Sequence, residues 1–434
     1  MDGDSSGRIR WCEFFDDPRL VYLINQALIG NQELKILAED VQIALNEVQA
    51  RSGAYLPFLS LGGRAGVAKS SVFSPMGAAE RGLQFRPGGN FPDPLPEFLA
   101  ASNVTWEIDI WRRLRNAKDA ACLRYLATNE GRNYVITRLV AEVADKYYEL
   151  LALDNRMLIL DKTIEIQQQS LKIANHLKDA GRGTELAVQR FNAEVAKNQS
   201  EKFIIQQEIV EVENRINFLT GQFPKPLERE SVDYLELNLH ALSAGVPSQL
   251  LQNRPDIRQA EREIQAAGLD VKVARASFYP ALVITGDVGY MAFNTKYLFS
   301  SPDSLIYSVA GDLVAPVINK RAIQAEYKSA NSRQLQSIYD YQQTVINAFT
   351  EVINQISKVE NYGQSVVIKK QQLESLNLSV ESASKLFQSA RIEYIDVLLA
   401  QRDMMEAKMV LIKTKQAQLS AIVNAYQALG GGGR

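Results

Sequence analysis

The sequence is poor in the residues that carry metal and nucleophile chemistry. Its 434 residues hold two cysteines and two histidines, too few soft ligands for most zinc or copper sites. His176 and His240 have no Cys, Asp or Glu cluster at ligand spacing. Cys12 and Cys122 lie far apart, which excludes a disulfide scaffold and leaves a single bridge open. No Ser-His-Asp arrangement, glycine-rich phosphate loop or zinc-type Cys spacing stands out. Cys122, beside Leu123 in a helical run, reads as a packed small hydrophobe, and Met404-Met405 as packing rather than a copper relay. The expectation is a protein that is not an enzyme and uses no metal or cofactor. A formal net charge of −2 gives no basic surplus for nucleic acid. No run of eighteen apolar residues occurs, so no transmembrane helix is expected. The opening MDGDSSGRIRW lacks a basic start and apolar core, and Arg10-Trp11-Cys12-Glu13 is not a lipid-attachment context. At this point the chain is either cytosolic or given without its export segment.

What is present is ordinary in composition, 46% hydrophobic and 23% charged, as in folded proteins. It is also repetitive. Glu33–Pro57 lies on Asp256–Pro280 at an offset of 223, matching Leu34 with Ile257, Val41 with Ile264, Gln42 with Gln265, Ala44 with Ala267 and Val48 with Val271. Gly181-Arg182-Gly183-Thr184 lies on Ala390-Arg391-Ile392-Glu393 at an offset of 209. The drop in offset places extra residues in the first copy, for which Ser74 to Pro96 is suited. Two copies of roughly 200 residues describe the chain best.

After each proline the hydrophobic period changes to two. Leu282, Ile284, Val288 and Tyr290 oppose Val283, Thr285 and Asp287, while Leu305, Tyr307, Val309 and Leu313 oppose Ser304, Ser308 and Asp312. In the first copy Leu59, Leu61, Ala65 and Val67 oppose Ser60 and Arg64. Phe98, Val104, Trp106, Ile108 and Ile110 oppose Asn103, Thr105, Glu107 and Asp109. These are four strands in two hairpins, as in a membrane barrel or in a sheet packed on a soluble core. Residues 113–180 and 321–389 contain no proline, and each predicts a helix of about 100 Å if unbroken. Ile136, Val143, Leu150, Met157, Ile164 and Leu171 recur at every seventh position, and Ile205, Val212 and Leu219 keep that spacing on a return helix, as in a coiled-coil seam. Four strands do not close a barrel, since about eight are needed before an interior exists. Several chains together would make a water-filled barrel continued by a helical tube. The alternative is a soluble coiled-coil scaffold with no transport role.

The stretch Gly245-Val246-Pro247-Ser248-Gln249-Leu250-Leu251-Gln252-Asn253-Arg254-Pro255-Asp256-Ile257-Arg258-Gln259-Ala260-Glu261 resembles the signature of TolC-like outer membrane efflux proteins, in the branch serving resistance-nodulation-division pumps. The likeness runs on through Ala274-Arg275-Ala276 and Phe278-Tyr279-Pro280, and extends to Trp106-Glu107-Ile108-Asp109 and Ala400-Gln401-Arg402. It implies an α+β, mainly α fold with two internal repeats. Long antiparallel helical hairpins would form an α-barrel, and four strands per chain would enter a trimeric twelve-stranded β-barrel in outer membrane lipid. The expected parts are 1–57, an N-terminal periplasmic segment; 58–110, the first membrane hairpin; and 111–221, the first helical hairpin. There follow 222–247, an equatorial linker; 248–280, the second-repeat helix; 281–315, the second membrane hairpin; 316–429, the second helical hairpin; and 430–434, a flexible tail. The implied partners are two further copies in a homotrimer, a periplasmic adaptor (membrane fusion) protein and an inner membrane resistance-nodulation-division transporter, with no nucleic acid.

The resemblance also suggests sites. Gly181, Arg182, Gly183, Thr184, Ala390, Arg391, Ile392 and Glu393 would form adaptor-docking turns, although helix reversal alone accounts for small residues there. Tyr394, Asp396, Arg402 and Asp403 are candidates for a closed periplasmic aperture. Leu399 stands where many relatives carry an aspartate that narrows the pore, so fewer charges or an apolar constriction would serve here. Arg254, Pro255 and Asp256 read as structural, with Pro255 at the first helical position and Asp256 at the positive end of the helix dipole.

Overall fold

The computed structural model describes residues 9–229, 234–239, 247–317, 320–389 and 391–433. In chain order the elements are α1 (Trp11–Phe14), α2 (Pro18–Gly30), α3 (Gln32–Gly53), β1 (Phe58–Ala68), α4 (Pro75–Gly82), β2 (Gln84–Arg86), β3 (Gly89–Asn90) and β4 (Leu95–Ile108). Then come α5 (Arg113–Asp179), α6 (Glu185–Leu219), α7 (Pro247–Asn253), α8 (Pro255–Ala276), β5 (Ala281–Ala292), β6 (Leu305–Val314), α9 (Arg321–Gln388) and α10 (Tyr394–Ala428). Two compact units divide the chain. One comprises residues 1–41, 127–260 and 340–434; the other comprises residues 42–126 and 261–339.

The first unit is helical, and its core gathers widely separated segments. Asp17 caps α2 by accepting from the Arg19 and Leu20 amides at 2.8 and 3.4 Å, with Pro18 at the first helical position. That start directs Leu20, Ile24 and Ala27 inward on one helix face. They join Phe14, Phe15, Val143, Tyr147, Leu219 and Tyr426 in one buried cluster, where Phe14 stacks on Tyr426 with centroids 4.0 Å apart. The seven-residue seam is realised along α5 and α6. Val143, Leu150, Ile205, Val212 and Leu219 are buried, with Met157 and Ile164 packed against them. Cys12 and Cys122 are free thiols.

Gly430–Gly433 reads in sequence as a flexible tail but packs into this unit. The Gly431 amide donates to the Tyr426 carbonyl at 3.0 Å. A Cβ on Gly431 would lie 2.3 Å from the Tyr426 ring, and one on Gly430, at φ +89°, 2.8 Å from the Asn253 carbonyl oxygen. At Gly430 and Gly431 a side chain would not fit.

The second unit carries a four-stranded antiparallel sheet in the order β1-β4-β5-β6. Its register is unbroken: Leu59 faces Val104, Ser102 faces Val288, Trp106 faces Ile284, and Val288 faces Tyr307. Directly paired residues share a face. The alternating apolar residues of all four strands therefore collect on one side. Ser60, Asn103, Asp287 and Ser308 form a continuous polar row on the other, in which Ser308 donates to Asp287. The apolar side is uncovered in the protomer, with Leu61 85% and Val309 82% exposed. β1 and β6 each have one neighbour, so both outer edges of the sheet carry unpaired backbone groups.

Candidate functional site

Three places combine the residues singled out in the sequence: the two helical turns, the start of α10, and the Arg254 segment. The first turn closes α5 with an interlocked pair of hydrogen bonds, Gly181 amide to Lys178 carbonyl at 2.9 Å and Arg182 amide to Leu177 carbonyl at 2.8 Å. Gly181 takes φ +69°, the left-handed conformation this ending requires. A Cβ on Gly183 would sit 2.8 Å from the Lys178 nitrogen, so the chain doubles back against its own helix end. Thr184 then caps α6 by accepting from the Ala187 amide at 3.3 Å. Across the turn, Lys178 reaches Glu185 at 3.0 Å. Hydrogen bonds from Gln189 and Lys178 hold the Glu185 carboxyl below the usual range.

The second turn has the same closing bond, Arg391 amide to Leu386 carbonyl at 3.0 Å. Ala390 lies outside the described residues. Ile392 is half-buried and Arg391 and Glu393 are exposed. Glu393 occupies the cap position of α10 without a side-chain hydrogen bond. Gly181, Arg182 and Thr184 are likewise exposed, so both turns present polar surface.

The four aperture candidates do not gather in one protomer. Tyr394 is tied inward. Its ring lies 5.3 Å from Phe191 and 4.7 Å from Phe387, and its hydroxyl shares a hydrogen bond with Ser170. Burial pushes its pKa up. With Ala174, Val188, Leu171 and Leu398 it completes an apolar cluster linking α5, α6 and α10. Arg402 bonds its neighbour Asp403 at 2.9 and 3.2 Å, and both are partly exposed. That hydrogen bond raises the Arg402 pKa. Asp396 is exposed in the first turn of α10. Asp396, Leu399 and Asp403 follow one another at helical spacing, which puts them along one side of α10. Phe191, Phe387 and Ser170 were not foreseen as partners of Tyr394. Phe191 and Phe387 match at no shared offset, and aromatic pairing between distant segments leaves no periodic trace.

Arg254 is 4% exposed and makes four hydrogen bonds through its guanidinium. It donates to both Asp256 oxygens at 3.0 and 2.8 Å, to Glu351 of α9 at 2.8 Å, and to the Ala428 carbonyl at 2.8 Å. Burial opposes its charge, but the two carboxylates outweigh it and its pKa lies above the ordinary arginine value. Pro255 opens α8, and Asp256 also accepts from the Ile257 amide at 3.0 Å. One guanidinium thus joins the start of α8, the middle of α9 and the last carbonyl of α10.

Where strands meet helices in the second unit, tryptophans anchor the transition. Trp106 donates to the Tyr55 carbonyl at 3.0 Å and Trp111 to that of Pro280 at 2.8 Å, while Trp111 stacks on Tyr279 at 4.7 Å. Asp109 accepts from the Leu114 and Arg115 amides at 3.0 and 2.9 Å and so caps α5. Amphipathic indoles at the end of an apolar strand face are the chemistry of a membrane interface.

Comparison with known proteins agrees with this geometry. The chain is similar to the cation efflux system protein CusC of Escherichia coli O6:H1, 27% identical over 422 residues, which span 97% of this chain and 88% of that protein. It is 28% identical to the solvent efflux pump outer membrane protein SrpC of Pseudomonas putida over 427 residues, 97% of this chain and 87% of that protein. A solved structure of CusC superposes with a TM-score of 0.87 at 25% identity, covering 99% of this chain and 97% of the other. The sequence profile of the outer membrane efflux protein family matches residues 23–222 and 246–431. The chain is a member of that family, a TolC-like protein of the outer membrane.

Proposed function

We propose that three copies of this chain form a passive duct across the outer membrane and periplasm. The observation that carries this reading is the sheet. Its uncovered apolar face suits lipid, its polar row suits water, and its two open edges suit pairing of β1 with β6 of the next copy into a barrel of twelve strands. A second unpartnered surface supports lateral assembly. Tyr339, Ile346, Ile353 and Val367 keep heptad spacing on α9 and are 58–65% exposed, a seam that finds no cover within the protomer. The near-equal helix pairs support a chain built as two copies of one unit, α5 with α9 at 67 and 68 residues and α6 with α10 at 35 each.

In this duct the two helical turns meet a periplasmic adaptor through Gly181, Arg182, Gly183 and Thr184 and through Ala390, Arg391, Ile392 and Glu393. An inner membrane transporter of the resistance-nodulation-division class supplies the energy. Asp396, Leu399, Arg402 and Asp403 line the periplasmic aperture, with Leu399 as an apolar contribution, and Tyr394 holds the first turn of α10 against α5 and α6. The relatives are named for cation and solvent efflux; the cargo proposed here is small molecules handed over by the pump. Reconstitution in planar bilayers tests the reading. Discrete conductance steps are expected, with larger steps when Arg402→Ala and Asp403→Ala are combined. Trimers that insert but never conduct would overturn it.

A further inference from the structure

At one end of the four-stranded sheet every strand joins a helix. Pairing of Phe58 with Thr105, Ile108 with Leu282 and Ala281 with Val314 aligns the junctions α3–β1, β4–α5, α8–β5 and β6–α9. Charge is distributed unevenly about this line. The ten residues on the helical side of each junction, 48–57, 109–118, 271–280 and 315–324, hold nine lysines and arginines and one acidic residue, Asp109. The whole chain has 48 basic against 50 acidic residues, so a stretch of average composition would be near balance. At the opposite end the connections 69–94 and 293–304, which meet through Phe85 and Phe293 at 4.9 Å, carry four basic and three acidic residues. The surplus belongs to the helical end.

Much of this surplus has no counter-charge in the protomer. Arg113 and Arg115 are paired with Glu107 and Asp109, and Arg51 with Glu47. Arg112 has the exposed Asp119 at 3.6 Å, a loose pair of little strength. Among the described residues, Lys118, Lys272, Arg275 and Arg321 have no acidic side chain within 4.0 Å. Arg112 also takes φ +58°, the one non-glycine residue with a positive φ among those described. Glycine or asparagine would relieve that conformation, and an exposed cation stands there instead. Aromatic residues occupy the same level. Trp111 and Tyr279 stack, and are 46% and 42% exposed. Trp106 lies on the apolar face opposite Ile284, and its indole donates to the Tyr55 carbonyl. The Lys118 ammonium sits 5.7 Å from the Tyr55 ring centroid. A cation is thus brought to the end of the face that suits acyl chains.

We propose that this basic collar binds the anionic headgroups of phospholipids, of the phosphatidylglycerol class, in the leaflet nearest the helices. The proposal rests on the duct reading, which puts the apolar face of the sheet in lipid. Tryptophans at the boundary set the depth of the strands. Each lysine or arginine beside them attracts anionic lipid within a Debye length of the surface. The collar holds the strand ends at the membrane surface, where α3, α5, α8 and α9 leave it.

The test uses the full chain reconstituted in phosphatidylcholine bilayers. Trp11→Phe leaves Trp106 and Trp111 as the only tryptophans, so quenching by brominated lipid reports the lipid beside the collar. At the same low fraction, brominated phosphatidylglycerol is expected to quench severalfold more than brominated phosphatidylcholine, and molar salt should abolish the difference. With Lys118→Gln, Lys272→Gln, Arg275→Gln and Arg321→Gln combined, the ratio should fall to near one. Equal quenching by the two lipids in the parent, or a preference that survives all four substitutions in an intact trimer, overturns the collar and leaves the duct. If the fourfold variant does not assemble, the parent decides, since a preference retained in molar salt overturns the collar too. A collar lining the water path would show no lipid preference and a changed anion-to-cation permeability ratio in the variant, which also overturns lipid binding. A protein that yields no trimer overturns the duct and the collar together.

Discussion

The two helical hairpins have the same lengths and the same closing bond, yet they are fastened differently. In α5–α6 the fastening is distributed. Arg156 is buried between the helices with Glu208 at 3.0 Å and Glu201 at 3.4 Å, Gln167 accepts from Asn198 at 2.7 Å in a buried pair, and the turn has a positive-φ glycine and a threonine cap. At the corresponding offset α9–α10 has Ser365, Leu376, Ala407, Val410 and Ala417, and a turn whose cap residue makes no side-chain bond. Its main polar tie is at the base, through Arg254 to Glu351 and the Ala428 carbonyl. Buried polar pairs fix register, because any slip leaves them unpaired. One hairpin is pinned by polar pairs made directly between its own helices, the other at its root and through residues 234–239, where Lys370 of α9 meets Glu236 at 2.8 Å and the buried Lys415 of α10 donates to Asn238 at 3.3 Å.

The largest effect is expected where the second hairpin has its main polar tie. Arg254→Ala strands Asp256 and Glu351 beside a freed carbonyl and should cost about 3–5 kcal/mol, read as a lower denaturation midpoint of the detergent-extracted protein. Breaking the distributed pins should cost less each. Gln167→Leu leaves the Asn198 amide buried without its partner, at about 1–3 kcal/mol, whereas Gln167→Leu with Asn198→Leu should return most of that loss. If the double variant is no better than the single one, the pair is not what holds the register. The turns offer a finer comparison. Thr184→Ala should cost about 1 kcal/mol, and Glu393→Thr should gain a fraction of that by giving the second turn the cap of the first. Both are measurable in urea titrations.

The last prediction concerns a contact between the hairpins. Burial is the largest influence on Asp145 of α5 and raises its pKa, only partly offset by the hydrogen bond from Ser420 of α10 and the charge of Lys146. At pH below the ordinary aspartate range both folded and unfolded chains hold the proton, and stability is complete. As pH rises through the raised value, the folded state must charge a buried carboxyl and stability falls. Asp145→Asn should therefore melt like the parent in acid and above it at neutral pH; equal melting at neutral pH would remove Asp145 from the account.

The strands and the seam were legible in the sequence because each rests on a short period. Leu282, Ile284, Val288 and Tyr290 alternate, and alternation survives as one face once β4 and β6 pair with β5. The reversal at Gly181-Arg182-Gly183 was legible because left-handed φ and close backbone approach favour glycine. What was not legible depends on distant contacts. Gly430–Gly433 has the composition of a flexible tail, and only the positions of the Asn253 carbonyl and the Tyr426 ring show why glycine is needed at Gly430 and Gly431. Tyr394 was read as an aperture group from its place in the chain, but Phe191 and Phe387 bring its ring into a cluster that periodicity does not reveal. The ordered segment between β1 and β4 was visible only as extra residues. Its aromatic contact with Phe293 joins segments some 200 residues apart.

The central claim is that this sheet is a third of a barrel. The most direct measurement is the stoichiometry of the protein extracted in mild detergent from the outer membrane, by light scattering with detergent subtracted or by native mass spectrometry. The account predicts a particle of three chains, about three times 48.5 kDa, which should fall apart when prolines at alternate positions of β6 block edge pairing. A monomer or dimer in the outer membrane fraction, with its sheet edges open to solvent or lipid, would contradict it.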